Sequence, residues 1–333
     1  MTPFGVWLVA RQEFRMRLRT GRWRWLLGGW LVLVGIFTAL LDLTVQTGFG
    51  FASDNSRRGV PLFGFLMFFV LGMMLVISPT LTAQSINGDR ERGTLATLQV
   101  TRLRPLEIAL GKLLAGWSVG LVALALTLPY TAYAMTRGGI ELPRVAAVYG
   151  VVALLVGVVC AISQAYSALL ARSITSALLS YLTVAALAIG TLLSFGLISP
   201  LTNERVLVRT PDGTYTQEIT HFERTWWLLA PNPFVILADS APQVPPRVVV
   251  IGDESYVDDY DPLSGLGRSV RGLRVPPSVV YTPDEALTRQ ANALPVWPTG
   301  LIVQGALGLG AFALTAYRLR TPSRKLAKGV RVA

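Results

Sequence analysis

Residues 82–112, TAQSINGDRERGTLATLQVTRLRPLEIALGK, are the stretch around which this chain is organised. They form the only long charged run between two apolar segments, 62–81 and 113–135, that are each long enough to cross a bilayer. Of the 333 residues, 52% are hydrophobic and 15% are charged, whereas soluble domains are about a quarter charged. The sequence therefore predicts a polytopic membrane protein with this stretch at one membrane face.

The composition excludes several kinds of site. Cys160 is the single cysteine, so neither an intrachain disulfide nor a cysteine metal cluster can form, and His221 is the single histidine, which rules out a histidine-rich site. A net charge of +11 would suit nucleic acid, but the basic residues cluster beside the apolar segments. That placement favours a membrane and predicts no nucleic-acid partner.

The expected fold is all-α, with six transmembrane helices, an N-terminal amphipathic interfacial helix and a mixed, partly β extracytoplasmic insertion between helices 5 and 6. The predicted spans are residues 26–45, 62–81, 113–135, 145–170, 174–198 and 298–317. The predicted organisation is an interfacial helix (1–25), five spans (26–198) that include the charged segment 82–112, an extracytoplasmic segment (199–297), the sixth span (298–317) and a basic tail (318–333).

The first 25 residues carry six arginines and one acid, Glu13. On a helix Trp7, Phe14 and Leu18 share a face that is flanked by arginines, which is typical of a helix in the headgroup layer. A solvated basic tail that only sets orientation is the alternative.

Residues 199–297 differ from the rest of the chain, because they hold most of its acids and are rich in proline, glycine and β-branched residues. Residues 206–210 and 214–219, parted by Pro211-Asp212-Gly213, predict a β-hairpin. The acidic run 253–261 lacks the glycine and closing glutamate of an EF-hand loop, so no metal site is expected there.

Two features inside the spans have open interpretations. Asp42 lies near the end of the first span, where a hydrated end is favoured over a functional acid. Gln164 and Ser167 belong to a polar group around the turn at 171–173, which either lines a polar path or, as we favour, hydrogen-bonds between helices.

Basic residues predict the orientation. Six spans place both termini on the same side, and that side holds 18 basic residues against 4 in the short loops of the other side. By the positive-inside rule both termini and residues 82–112 are cytoplasmic, and the long segment is outside.

The charged segment itself has two interpretations. Asp89-Arg90-Glu91-Arg92 alternates in sign, and Leu95 and Leu98 beyond it share one helical side. A short amphipathic helix joined to two spans would let a docked partner move both of them. An ordinary interfacial loop with a capping network fits the pattern as well.

Ser85-Ile86-Asn87-Gly88-Asp89-Arg90-Glu91-Arg92-Gly93-Thr94-Leu95 resembles the signature after the second span of ABC-2-type transporter permeases, with Asp89 where glutamate is usual. Residues 101–112 resemble its continuation into the third span. Trp226–Val235, which contains Asn232-Pro233-Phe234, resembles a segment between the fifth and sixth spans of that family. The insertion at about 243–296 departs from the family pattern.

The resemblance implies a permease subunit of a bacterial ABC transporter in the plasma membrane, with 82–112 as the coupling segment. Its ABC ATP-binding subunit would be a separate protein that holds ATP and Mg, and a second permease copy or a related permease would complete the path. The implied contacts with the ATPase subunit are Asp89, Arg90, Glu91, Arg92, Gly93, Thr94 and Leu95. Gly111-Lys112 lacks the other residues of a Walker A motif, so no nucleotide site is expected in this chain.

We therefore consider three functions, in order of preference. The first is export of a lipid, drug-like or other bulky amphiphilic substrate. The second is an ABC-type membrane subunit that transmits ATP-driven motion to its extracytoplasmic segment without transporting a solute. A membrane-embedded enzyme ranks last, because Asp42 and His221 are isolated in the sequence and catalysis needs convergent groups.

Overall fold

The computed structural model describes residues 2–19, 22–47, 57–95, 103–210, 213–245, 247–251, 254–258, 261–277 and 293–320. The described chain is mostly helical, with only short strands. It contains six helices, some of them composite, that are long and apolar enough to cross a membrane. They are Trp25–Gln46, Gly59–Glu91, Pro105–Thr136, Leu142–Leu169, Ser173–Thr202 and Trp297–Arg318. The prediction of a six-span polytopic fold is confirmed.

The helices follow one another along the chain. They are α1 (Pro3–Arg19), α2 (Arg22–Gln46), α3 (Gly59–Thr82), α4 (Asn87–Glu91), α5 (Pro105–Ala125), α6 (Leu128–Thr136), α7 (Leu142–Leu169), α8 (Ser173–Ala185), α9 (Thr191–Ile198), α10 (Pro233–Ser240), α11 (Pro262–Gly272) and α12 (Trp297–Arg318). Proline stands in the first turn of α5, α6, α7, α10, α11 and α12, where the missing N–H costs no helical hydrogen bond.

Two spans are broken. The third is interrupted between α5 and α6, where Pro129 begins a new helix because it cannot donate a hydrogen bond to the preceding turn. The fifth contains a π turn, Ala186–Gly190, between α8 and α9. Such wider turns leave a backbone carbonyl available to an outside donor.

We name the two ends of the helix bundle after the elements that lie there. The α4 end contains α1, α4, the starts of α5 and α8, and the end of α7. The hairpin end contains the opposite ends of these helices and the long segment after α9. The second span lies at the centre, since 61% of its most apolar window is buried, against 6% for the fifth span. Its side chains Phe63, Leu66 and Met67 are completely buried in the main core.

The long segment begins with the predicted hairpin. β1 (Asn203–Thr210) pairs antiparallel with β2 (Gly213–Thr220), and a second hairpin joins β3 (Arg247–Ile251) to β4 (Glu254–Asp258). Arg224 donates a hydrogen bond to Glu204 Oε1 at 2.7 Å, and this bond lowers the pKa of the Glu204 carboxyl from its usual value. Asp253, within the acidic run, lies outside the described residues, as do 278–292 and the tail from 321.

Buried ion pairs attach this segment to the spans. Arg144, at the start of α7, pairs with Asp261 at 2.5 Å, and both side chains are at most 4% exposed. Asp261 also accepts hydrogen bonds from the N–H groups of Leu263 and Ser264, so it caps α11. A second buried carboxylate holds the last span. Asp239 accepts hydrogen bonds from the N–H groups of Val296 and Trp297 at 2.6 and 2.7 Å, and these bonds fix the start of α12.

Arg144 provides a test of these attachments. We expect Arg144→Ala to lower the free energy of unfolding by about 3–5 kcal/mol, because it leaves the Asp261 carboxylate buried without its cation. The matched control is Arg205→Ala, since the Arg205–Glu218 pair is 79% and 56% exposed and an exposed pair contributes about 0–1 kcal/mol. Thermal unfolding in detergent gives both values, and equal effects of the two variants would contradict the attachment.

Candidate functional site

The charged segment folds as a short helix that ends at a glycine. α4 covers Asn87–Glu91, and the chain leaves it through Gly93 at φ +70°. This left-handed conformation is unfavourable for residues with a Cβ atom. Asp89 and Leu95 are therefore not on one continuous helix, since Thr94 and Leu95 begin a new helical turn. The predicted amphipathic helix that contains Leu98 falls partly on 96–102, which lie outside the described residues, and stays a prediction.

Hydrogen bonds attach α4 to the fourth and fifth spans. Ser167 Oγ on α7 accepts from the N–H groups of Ile86 and Asn87 at 3.1 and 3.0 Å, and Arg90 Nη1 donates to Leu170 O at 3.1 Å. From α8, Ser173 Oγ donates to Glu91 Oε1 at 2.6 Å. Polar side chains around the turn at 171–173 therefore hydrogen-bond between elements, as we favoured.

Lys112 is the centre of the site. Its side chain is 1% exposed, and its Nζ lies 2.5 Å from Asp89 Oδ2 and in contact with Glu13 Oε1. Asp89 Oδ1 in turn accepts from Arg92 Nη2 at 3.1 Å. One buried ammonium thus joins α1, α4 and α5, and the two carboxylates and two cations balance in charge.

A second contact holds α1 against α5. Glu107 Oε1 accepts from the backbone N–H of Thr2 at 2.6 Å, while Glu107 Oε2 accepts from the N–H of Arg104 at 3.0 Å and so caps α5. A Cβ at Gly111 would lie 2.6 Å from Val9 Cβ, so the approach of the two helices requires glycine there. The interfacial position of α1 stays a prediction.

Exposure divides the seven predicted contact residues. Asp89 and Leu95 are each 4% exposed, Asp89 within the Lys112 network and Leu95 in an apolar cluster with Ile86 and Ile108. Arg90 is half-buried and bonded to Leu170. The exposed residues among these seven are therefore 91–94, which we call the α4 tip: Glu91, Arg92, Gly93 and Thr94.

Sequence reasoning did not assign Glu13 or Lys112 to the site. Each of them has a feature in the sequence that points to an ion pair. Glu13 is the single acid among the N-terminal arginines, and Lys112 is a cation at the start of an apolar span, where a charge needs a partner.

The second motif lies far along the chain and has a structural role. Asn232 is completely buried; its Oδ1 accepts from the N–H of Phe234 at 2.9 Å and caps α10. Its Nδ2 donates at 2.8 Å to Ala188 O, inside the π turn, and to Thr191 Oγ1. The motif therefore joins α10 to the fifth span through a carbonyl of the π turn.

His221 and Asp42 are not isolated, contrary to the expectation from the sequence. His221 Nδ1 is 2.6 Å from Glu223 Oε1, and its Nε2 is 3.4 Å from Glu204 Oε2. Asp42 is 7% exposed and pairs with Arg137 at 2.8 Å, while its position at a hydrated end of the span stays a prediction. Within the described ranges, no group of three or more His, Cys, Asp or Glu side chains could hold a metal ion.

The chain matches the sequence model of a protein family. The sequence model of a family described as ABC-2 family transporter protein matches residues 7–235, which run from α1 to the start of α10 and include both motifs. A search of curated proteins finds no match.

The Lys112 network predicts a coupled response to mutation. We expect Lys112→Met to lower the free energy of unfolding by about 3–5 kcal/mol, because it removes the buried cation that Glu13 and Asp89 share and leaves Asp89 with only its bond to Arg92. In the double variant Glu13→Gln/Lys112→Met, one of those carboxylates is removed, so the loss is smaller than the sum of the two single variants. Thermal unfolding in detergent measures all three. Additive losses would show that Lys112 and Glu13 do not interact.

Proposed function

The chain belongs to the ABC-2 family of transporter proteins, and from this membership we propose that it is the permease subunit of an ATP-driven exporter. It is thus a membrane component of an ABC transporter. We further propose that the α4 tip docks into a separate ATPase subunit.

The observation that supports this proposal is the difference in exposure between the α4 tip and Asp89, which we call its base. Glu91, Arg92, Gly93 and Thr94 are exposed, whereas Asp89 beneath them is fixed by Lys112. A mixed-charge tip suits a polar docking groove, because charge complementarity provides specificity and orientation. The buried base transfers a displacement of the tip to α1 and α5 instead of absorbing it.

The proposed mechanism is a shift between two populations. ATP closes a pair of ATPase subunits and moves the two docked α4 tips, and the second and third spans tilt because α3 leads into α4 and α5 carries Lys112. The path then changes from inward-open to outward-open. A substrate biases this equilibrium only through its different affinities for the two states.

The environment of Lys112 supports a separate site for ATP and Mg. A Walker A lysine must reach the β- and γ-phosphates. Lys112 is buried and paired with two carboxylates, an environment that repels phosphate. We place the nucleotide on the ATPase subunit for this reason.

The surfaces of the spans bear on the substrate and on a second permease. The apolar spans carry few charges, which favours a lipid or another bulky amphiphile over a small ion. The fifth span buries only 6% of its most apolar window against the described chain, so most of it is free to face lipid or a second permease copy.

One observation favours the second candidate, transmission of motion to the extracytoplasmic segment. Asp239 connects α10 both to Arg271 of α11 and to the start of α12, and Asp261 ties α11 to α7. Tilting of the spans would therefore move this segment. Accumulation of a solute in inverted vesicles distinguishes export from transmission without transport.

Glu91 is the sharpest test of docking. We expect Glu91→Lys to abolish co-purification with the ATPase subunit and the associated ATP hydrolysis, while membrane insertion and thermal unfolding stay unchanged. The control is Ser173→Ala, which removes the hydrogen bond from Ser173 Oγ to Glu91 but keeps the carboxylate on the tip. If Glu91→Lys still binds the ATPase subunit, or if Ser173→Ala loses it equally, docking through this carboxylate is wrong.

Orientation has its own test. In a Cys160→Ser background, we expect Thr94→Cys to react with a membrane-impermeant maleimide only in inside-out vesicles, since the tip is proposed to be cytoplasmic. Arg205→Cys on β1, at the other end of the bundle, is the control and should react only in right-side-out vesicles. Labelling of Thr94→Cys from the outside would reverse the topology.

A further inference from the structure

A cleft of about 640 Å³ opens between the first span and the outer half of the third, away from the α4 site. Its α2 wall consists of Gly35, Thr38, Ala39, Asp42, Leu43 and Gln46. These positions are separated by three, one, three, one and three residues, a spacing that keeps them on one face of the helix. From Gly35 to Gln46 the chain advances eleven positions, so the wall is about 16 Å long at about 1.5 Å per residue.

The length and the polarity of the cleft match one leaflet of a bilayer. Half of a hydrocarbon core is about 15 Å. Small and apolar residues occupy the deep part, whereas Asp42 and Gln46 stand at the end nearest the membrane surface. Pro129, where the third span breaks, lines the opposite wall. A Cβ at Gly35 would lie 2.8 Å from Tyr130 Oη, so a close contact between the two walls closes the deep end.

A fixed cation stands at the mouth. Asp42 Oδ2 accepts from Tyr133 Oη at 2.7 Å and from Arg137 Nη2 at 2.8 Å, and the Arg137 guanidinium also lies 5.0 Å from the centre of the Tyr133 ring. The side chain of Arg137 nevertheless stays 36% exposed. These bonds use Nε and Nη2, so the two N–H groups on Nη1 are further donors in a geometry that suits phosphate.

We propose that this cleft holds one phosphate-headed glycerolipid, with an acyl chain along the α2 wall and its phosphate on Arg137. Asp42 and Tyr133 position the guanidinium for this contact. The proposal requires that the chain is embedded in a membrane, and it does not depend on ATP-driven transport.

Photo-crosslinking in nanodiscs tests the proposal. The protein is reconstituted in digalactosyldiacylglycerol, a bilayer lipid without phosphate, doped with a phosphatidylglycerol that carries a diazirine on one acyl chain, and the adducts are located by mass spectrometry. We expect adducts on the cleft face of α2 and on the facing turn of the third span. Ala39→Trp, which fills the cleft, should abolish them.

Leu40→Trp is the matched control, because Leu40 is the next residue on α2 and is 59% exposed on the outside of the bundle. It should leave the adducts unchanged. Adducts spread evenly over the exposed residues of α2, or adducts that survive Ala39→Trp, would show that only annular lipid is present and would overturn the site.

The phosphate contact has a separate readout in the wild-type protein. Unlabelled phosphatidylglycerol should compete with the probe, whereas diacylglycerol of the same chain length should not. Arg137→Gln should weaken competition by phosphatidylglycerol about tenfold, the effect of losing one charge-assisted hydrogen bond. Equal competition by the two lipids would contradict recognition of the phosphate.

Discussion

A buried ammonium group is stable only beside groups of opposite charge, and the packing of the α4 end of this protein depends on that constraint. Lys112 would be very unfavourable at 1% exposure unless carboxylates met it, and the chain provides one from α1 and one from α4. Three elements that are distant in sequence are therefore held at a single point. Apolar contacts alone would let α1 slide along α5, whereas ion pairs of this geometry fix the register between them.

The hairpin end depends on the same kind of contact. Buried carboxylates at Asp239 and Asp261 each cap a helix and also pair with an arginine from another element. Between the two ends the helices pack through apolar side chains and glycines, such as Gly116, where a Cβ would lie 2.3 Å from Thr82 Cγ2. The bundle is thus connected by polar contacts at both ends and closely packed through apolar side chains between them.

The sequence was sufficient for the six spans, because about 20 consecutive apolar residues have few other stable arrangements. The first hairpin was also predictable, since Pro211-Asp212-Gly213 has a strong turn preference between β-branched segments. The partners of Lys112 were not, because Glu13 is 99 residues away and only the packing of α1 on α5 brings the two together. The break at Gly93 was not predicted, because the alternating charges of 89–92 do not indicate that the glycine ends α4 in a left-handed conformation.

We expect α1 and α4 to move as one body. Spin labels at Gln12 and Gln84, both exposed, measure the distance across the Lys112 network, since the Gln84 carbonyl accepts from Gly88 N–H of α4 and Gln84 lies outside the docking tip. A label pair at Gln84 and Glu141 measures the distance from the α4 end to the hairpin end. In the complex with the ATPase subunit, trapping of ATP should change the Gln84–Glu141 distance distribution while the Gln12–Gln84 distribution keeps its mean and width. A Gln12–Gln84 distance that shifts or broadens as much as the Gln84–Glu141 distance would contradict this expectation.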